Sequence, residues 1–305
     1  MTMTDRRGFT MVELMVALVL TLMVGGVTYG LLVNNQRVSR SQTEHVGMQD
    51  NVRSGALIVA NELREVGYDS VPAAVPALGP GNGTNKDLLL MQAGKIQYRA
   101  WRGIGFTCFA PAANELRLET GTYMGVRQPQ INDSIVVYVE RTNTTDQDDA
   151  WVHGKITGDP TVKQCANGNN AIALPIAYEA ATDGAAVTGA MVQGGPVRIY
   201  EAMEMKHYQS GTQWWLGMRS LNGGGGIQPV LGPLADSTAG QSGLVFTYLD
   251  KNRNVTAVLA DVREIQVTLK GVSDGKVRTS GGASSFAVDT TALTTNVALR
   301  NALRP

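Results

Sequence analysis

Net charge is missing from this chain: across 305 residues, 26 Lys and Arg are matched by 26 Asp and Glu. That balance offers no basic excess to neutralise phosphates and no acidic excess for a cationic partner, so nucleic-acid binding gains no electrostatic support. Cysteine is scarce too. The two present, Cys108 and Cys165, stand far apart and outside any C-x-x-C metal or redox spacing. In an oxidising compartment they would pair, closing a loop of about 58 residues worth roughly 4 kcal/mol in the loop-entropy picture; otherwise they are two buried thiols. The three histidines, His45, His153 and His207, are scattered, with none at i+4 from another or beside a cysteine as a zinc site requires. A Gly-x-Ser-x-Gly elbow, a Walker loop and a Gly-x-Gly-x-x-Gly turn after a strand are also absent. These absences exclude the familiar hydrolase, nucleotide and metal signatures, and no cofactor or catalytic residue is expected.

Two loops invite a ligand and then discourage it. The run Gly223-Gly224-Gly225-Gly226 lacks the Lys-Ser/Thr that would make it a phosphate loop, and it reads as a flexible connection. Asp250-Lys251-Asn252-Arg253-Asn254 alternates oxygens as a calcium loop does. However, Val255 occupies the sharp-turn glycine position and cations interleave the ligands, so a hairpin turn is the better account. Asp146, Asp148 and Asp149 read as a solvated loop.

What the sequence does have is an apolar N-terminal rod. Residues 14–36 contain no charge, and about 23 positions at roughly 1.5 Å rise cover roughly 35 Å, enough to cross a bilayer core. A secretory signal is shorter and carries a small-x-small site on its far side, which this stretch lacks. Asp5, Arg6 and Arg7 precede the run and Gly8 separates them from Phe9, which marks the junction as a cleavage site. At the head of the run stands a carboxylate, Glu13. An acid inside an apolar span is costly and calls for a partner. An amino terminus freed on Phe9, of the same or a neighbouring chain, would supply one; a Glu that merely snorkels to the headgroups is the alternative.

Taken together, Arg6-Arg7-Gly8-Phe9-Thr10-Met11-Val12-Glu13-Leu14-Met15-Val16-Ala17 closely resembles the class III signal of type IV prepilins and type II secretion pseudopilins. The resemblance implies a prepilin peptidase that cuts between Gly8 and Phe9 and methylates the Phe9 amine, with Glu13 matching the acidic residue used in assembly. Arg37 and Arg40 answer Arg6 and Arg7 across the span, so charge bias does not set the orientation. The resemblance does: it implies a leader in the cytoplasm and a periplasmic domain.

Beyond the span, residues 37–67 lack proline and favour helix. Val52, Ala56, Val59, Leu63 and Val66 recur at helical spacing as one apolar face. Gly25, Gly26 and Gly30 lower helix propensity within the span; they suit either a stretch that unwinds in a filament or close helix contacts in the membrane. The helix end, through Leu63-Arg64-Glu65-Val66-Gly67-Tyr68, resembles that of PilW-type minor pilins, with the J-type pseudopilins as close relatives. A linker, 71–85, follows. Strands are then expected at 96–101, 114–120, 134–141, 197–208, 213–219, 244–249, 256–270 and 296–303. No amphipathic helices alternate with them, which favours antiparallel pairing. The Val297-Ala298-Leu299-Arg300-Asn301 ending resembles the closing strand of minor pilins.

The expected fold is α+β, a long N-terminal helix packed on a mainly antiparallel sheet. Its parts are a leader at 1–8, a transmembrane helix at 9–36, an amphipathic continuation at 37–67 and a β-rich globular domain at 68–305. The resemblance implies a non-catalytic minor pilin that helps initiate, prime or cap a type IV pilus. It would sit in the inner membrane and then at the pilus tip. Its implied partners are other minor pilins, the major pilin, the prepilin peptidase and a tip adhesin. A J-type minor pseudopilin of a type II secretion system is the alternative, with a membrane-tethered binding protein as the rival of another class.

Overall fold

A computed structural model of the chain describes residues 8–64, 66, 88–108, 114–140, 150–178, 187, 189–237, 242–278 and 286–299. The leader residues 1–7, Gly67 and Tyr68 at the expected helix end, and the linker 71–85 lie outside the described residues. So do Asp146, Asp148, Asp149, the glycine-rich segment 280–285 and the tail from Arg300.

A single helix, α1 (Met11–Arg64), opens the fold and runs unbroken through Gly25, Gly26 and Gly30. Its length follows from the absence of proline and from local satisfaction of its few polar groups. The hydroxyls of Thr21, Thr28 and Thr43 donate to the carbonyls of Ala17, Val24 and Ser39 at 2.7, 2.8 and 3.0 Å, so none needs a partner from outside the helix.

The chain divides into two compact units. One comprises residues 1–50 and 273–290. In it the apolar run of α1 is uncovered, and the helix is long and apolar enough to cross a membrane. His45 Nδ1 lies 3.2 Å from Asp289 Oδ2, and Gln49 Nε2 lies 2.8 Å from the other ring nitrogen of His45.

The other unit, residues 51–272 and 291–305, is the globular body. Fourteen described strands form one hydrogen-bonded network. They are β1 (Leu88–Gln92), β2 (Lys95–Phe106), β3 (Glu115–Glu119), β4 (Met124–Gly125), β5 (Ser134–Val139), β6 (Ala150–Ile156) and β7 (Thr161–Gln164), followed by β8 (Asn170–Tyr178), β9 (Pro196–Ser210), β10 (Gln213–Ser220), β11 (Gln228–Leu234), β12 (Leu244–Leu249), β13 (Glu264–Arg278) and β14 (Phe286–Ala298). The main path runs β12-β13-β11-β10-β9-β5-β6-β8-β3, and β2 pairs along β9 from Lys95↔Lys206 to Phe106↔Pro196. Pairs such as β9 with β10 and β12 with β13 are antiparallel, which with α1 makes the fold α+β.

Two apolar clusters explain the packing. The stripe Val52, Ala56, Val59, Leu63 and Val66 is buried against Ile96, Tyr98, Met205, Leu216 and Leu269. Burying five such side chains is the main reason this half of the helix stays on the sheet. A second cluster joins Leu116, Ile135, Ile156, Leu174, Val197 and Ile199. Strand alternation puts Val197, Ile199, Glu201 and Met205 on one face of β9, so Glu201 interrupts the apolar surface between the two clusters.

Several expected strands begin or end elsewhere. The strand expected at 256–270 starts only at Glu264, because Leu259–Asp261 forms a 3-10 turn. It then continues to Arg278 through Gly271 and Gly275. The strand expected at 296–303 begins ten residues earlier, at Phe286, and ends at Ala298. Its Ala- and Thr-rich sequence shows no large apolar alternation because the inward side chains from Asp289 to Thr295 are only half buried, and Val297 alone is buried. The Asp250 segment forms a turn within one connection: Leu249 bridges Val255, and Arg253 takes φ 64°.

Candidate functional site

The head of α1 carries the candidate residues Gly8, Phe9 and Glu13 that the sequence singled out. Thr10 is the residue before the first helical turn, and its carbonyl accepts from the Leu14 N–H at 3.2 Å. Its own N–H and hydroxyl donate to Glu13 Oε2 at 2.9 and 3.0 Å, while the Glu13 N–H donates to Thr10 Oγ1 at 3.3 Å. This reciprocal arrangement is a capping box: each residue satisfies an amide that the helix leaves without an internal acceptor. A negative charge here also lies at the favourable end of the helix dipole. Glu13 therefore does two jobs, as the acid within an apolar run and as the cap of the helix that carries it. The Gly8-Phe9 junction lies immediately before the box, with both residues exposed.

Thr10 was not among the residues expected to matter, although its signal is in the sequence. Thr10-Met11-Val12-Glu13 has the Ser/Thr-x-x-Glu spacing of a capping box before an apolar run.

The two cysteines meet. Cys108 and Cys165 form a disulfide across a Cα–Cα distance of 5.5 Å, both buried beside Ala171. The bridge ties the end of β2 to the β7–β8 turn, where the Cys108 N–H donates to the Arg117 carbonyl at 3.1 Å.

The charged residues of the body are arranged for structure. Asp133 is fully buried and accepts from Arg127 Nη1 and Nη2 at 2.8 Å each, from the Gln130 N–H at 2.9 Å and from Asn222 Nδ2 at 2.9 Å. That bond pushes the Arg127 guanidinium above its ordinary range. Glu201 bridges Arg102 Nε at 2.6 Å and Arg127 Nη2 at 3.2 Å. On the opposite face of the sheet, Glu204 sits between its cross-strand neighbours, accepting from Gln97 Nε2 at 2.6 Å and ion-paired with Arg219 Nε at 2.8 Å. Burial alone would raise both carboxyls, but the bonds and cations around them outweigh it and hold both below the usual carboxylate range. Tyr98 donates to Glu62 at 3.2 Å, and its phenol is pushed up by burial and by that carboxylate.

No three His, Cys, Asp or Glu side chains converge as a metal site among the described residues. Asp250 Oδ1 is engaged by the amides of Asn252 and Asn254 at 2.8 Å, which closes its turn. His207 stacks 4.7 Å from Trp214, and burial lowers its affinity for a proton. The Gly223–Gly226 run is anchored at its start by the bond from Asn222 to Asp133.

Residues 3–29 match the family model described as the prokaryotic N-terminal methylation motif. The matched stretch contains Gly8, Phe9, Thr10 and Glu13, and the motif supports a pilin-like or pseudopilin subunit anchored by its N-terminal helix. No match was found among curated proteins or among solved structures.

Proposed function

We propose that the chain is a minor pilin of the PilW type, a non-catalytic subunit that helps to start, prime or cap a type IV pilus. The observation that carries this reading is a carboxylate, Glu13, at the head of an uncharged rod, inside a stretch that matches the N-terminal methylation motif. Residues 1–8 act as the leader, cut between Gly8 and Phe9, and Phe9 becomes a methylated amino terminus. Residues 9–36 anchor the subunit in the inner membrane before assembly, and the β-rich body faces the periplasm. Burial of the rod among neighbouring rods supplies the assembly energy. Pairing of Glu13 with the freed amine of a neighbouring chain sets the axial register, because an unpaired charge there is unfavourable in an apolar surround.

The N-terminal motif suits a J-type minor pseudopilin of a type II secretion filament equally well. Loss of piliation on deletion, with secretion intact, separates the first from the second.

Intact mass of the membrane-extracted protein, with and without the prepilin peptidase, tests the processing. A chain beginning at methylated Phe9 only when the enzyme is present is the expected result. Retention of the first eight residues in its presence would overturn the proposal. For assembly, Glu13→Leu should leave the subunit in the membrane and remove it from filaments.

A further inference from the structure

The unit formed by residues 1–50 and 273–290 carries an asymmetry of charge along α1. After the uncharged run 14–36, the first charged residues are Arg37 and Arg40, and no acid appears until Glu44. The β13–β14 segment shows the same order. From Gly275 to Val288 the sequence holds two cations, Lys276 and Arg278, and no acid, with Asp274 and Asp289 immediately outside that stretch.

Two contacts fix how this segment lies on the helix. Asp289 Oδ2 meets His45 Nδ1 at 3.2 Å, and the Asp289 N–H donates to Ser273 Oγ at 3.0 Å, so residues 273 and 289 are level with His45. Farther along, a side chain at Gly275 would meet the Arg40 guanidinium at 3.7 Å. From 289 and 273 inward, the two strands therefore run toward the apolar end of α1. The acids stay at the level of His45, and Lys276 lies on the side of the span. Arg37, Arg40 and Lys276 are exposed, and so are two apolar side chains among them, Val38 at 43% and Val288 at 50%.

We infer that residues 275–277 of β13 and 287–288 of β14 form a lipid contact. Lys276, with Arg37 and Arg40, engages anionic phospholipid headgroups, and Val288 rests at the interface beside them. Cations next to a span are drawn to an anionic bilayer surface, and small apolar side chains tolerate the interfacial region. The His45–Asp289 pair holds the segment against the helix. The inference rests on the proposed span at 9–36 but not on filament formation.

The test uses the full-length chain in nanodiscs of phosphatidylcholine alone or with phosphatidylglycerol added. Val288→Cys, labelled with a nitroxide while the native cysteines stay paired, reports collision with an aqueous nickel chelate. Accessibility is expected to fall about 5-fold when the anionic lipid is present, the size of one cation–headgroup attraction. Adding Lys276→Glu should restore it, whereas Lys276→Arg should not, which separates lost charge from a misfolded segment. Equal accessibility in both bilayers, or shielding indifferent to Lys276→Glu, overturns the inference while leaving the proposed function standing. Release of the chain from membranes by alkaline carbonate would overturn both.

Discussion

Leu231 occupies the space that a side chain at Gly55 would need. A Cβ at position 55 would overlap Leu231 Cδ2 and lie 3.1 Å from its Cγ and 3.2 Å from Leu269 Cδ1. The glycine is thus a point of close approach between α1 and the sheet, where β11 and β13 come up against the helix. Gly55→Leu should lower the stability of the body by roughly 1–3 kcal/mol through overpacking, despite the better helix propensity of leucine. Gly47→Ala, with nothing within 4 Å, should not lower it. Denaturant midpoints of the two variants in detergent check the contrast, and a tolerated Gly55→Leu would deny the close approach.

How much of this could be read in advance depends on whether a signal was local. The rod and the stripe from Val52 to Val66 were legible because both are periodic patterns within one helix. Strands β9, β10 and β12 were legible because they are rich in large side chains. Strand β8 was missed because Pro175 interrupts its run, yet Pro175 still pairs with Glu115 and its carbonyl accepts from the Thr157 N–H at 2.9 Å. Strand β11 was missed for a similar reason, since Pro229, Gly232 and Pro233 read as a loop. At the candidate site, the Gly8-Phe9 junction and Glu13 stood out as a charge pattern, while Thr10 did not, because its role is a hydrogen bond. The Asp133 network was beyond reach because its donors come from Arg127, Gln130 and Asn222, and the last is distant in sequence.

Thr10→Val keeps the shape of the side chain and removes the hydroxyl, so it should unfasten the first turn of α1. Amide exchange of Leu14 and its neighbours in micelles should quicken several-fold, and Thr10→Ser should restore protection. If the valine variant exchanges like the parent, Thr10 is not acting as a cap.

The Cys108–Cys165 bridge closes a long loop in a body that also has two substantial apolar clusters. Replacing both cysteines with alanine should therefore weaken the fold without abolishing it, by up to roughly 4 kcal/mol. Urea midpoints for the double variant and for the reduced parent should agree. A body as stable without the bridge would show that loop entropy contributes little here.

Acid should unfold the body in two stages. His207 is held neutral by burial, so its contribution is present at neutral pH and declines as pH falls below about 6.5, where the unfolded chain gains the proton first. Glu115, depressed by hydrogen bonds from Lys163 and Arg117, behaves in the same sense with Glu201 and Glu204. Their stabilisation is complete above the unfolded carboxylate range and is lost as pH drops through their lower folded values, so a steeper decline is expected below about 4.3. Thermal midpoints across this range should show both slopes, and Glu204→Gln should flatten the second. A midpoint that rises on acidification would contradict the sign.

Asp133 is the place where one substitution should do most harm. Its carboxylate is fully buried and neutralises Arg127 through two bonds of 2.8 Å, and Asn222 hangs the start of the glycine run from the same oxygen that meets Arg127 Nη2. Asp133→Ala takes from the Arg127 guanidinium its two-bond carboxylate partner, leaving it Glu201 at 3.2 Å and the Gln128 carbonyl at 2.9 Å, and should cost about 3 kcal/mol, the low end of the loss when one partner of a buried pair is removed. Replacing Arg127 as well, with methionine, removes the cation that has lost its main partner and should recover part of that loss, so the two effects should be far from additive. Exchange at Gly223–Gly226 should quicken in both variants, because the Asn222 side chain loses its bond to Asp133 either way and only the backbone bonds to Asn132 and Ser220 remain. Strict additivity, or exchange at the glycines unchanged by Asp133→Ala, would mean that the pair and the loop are held by other contacts.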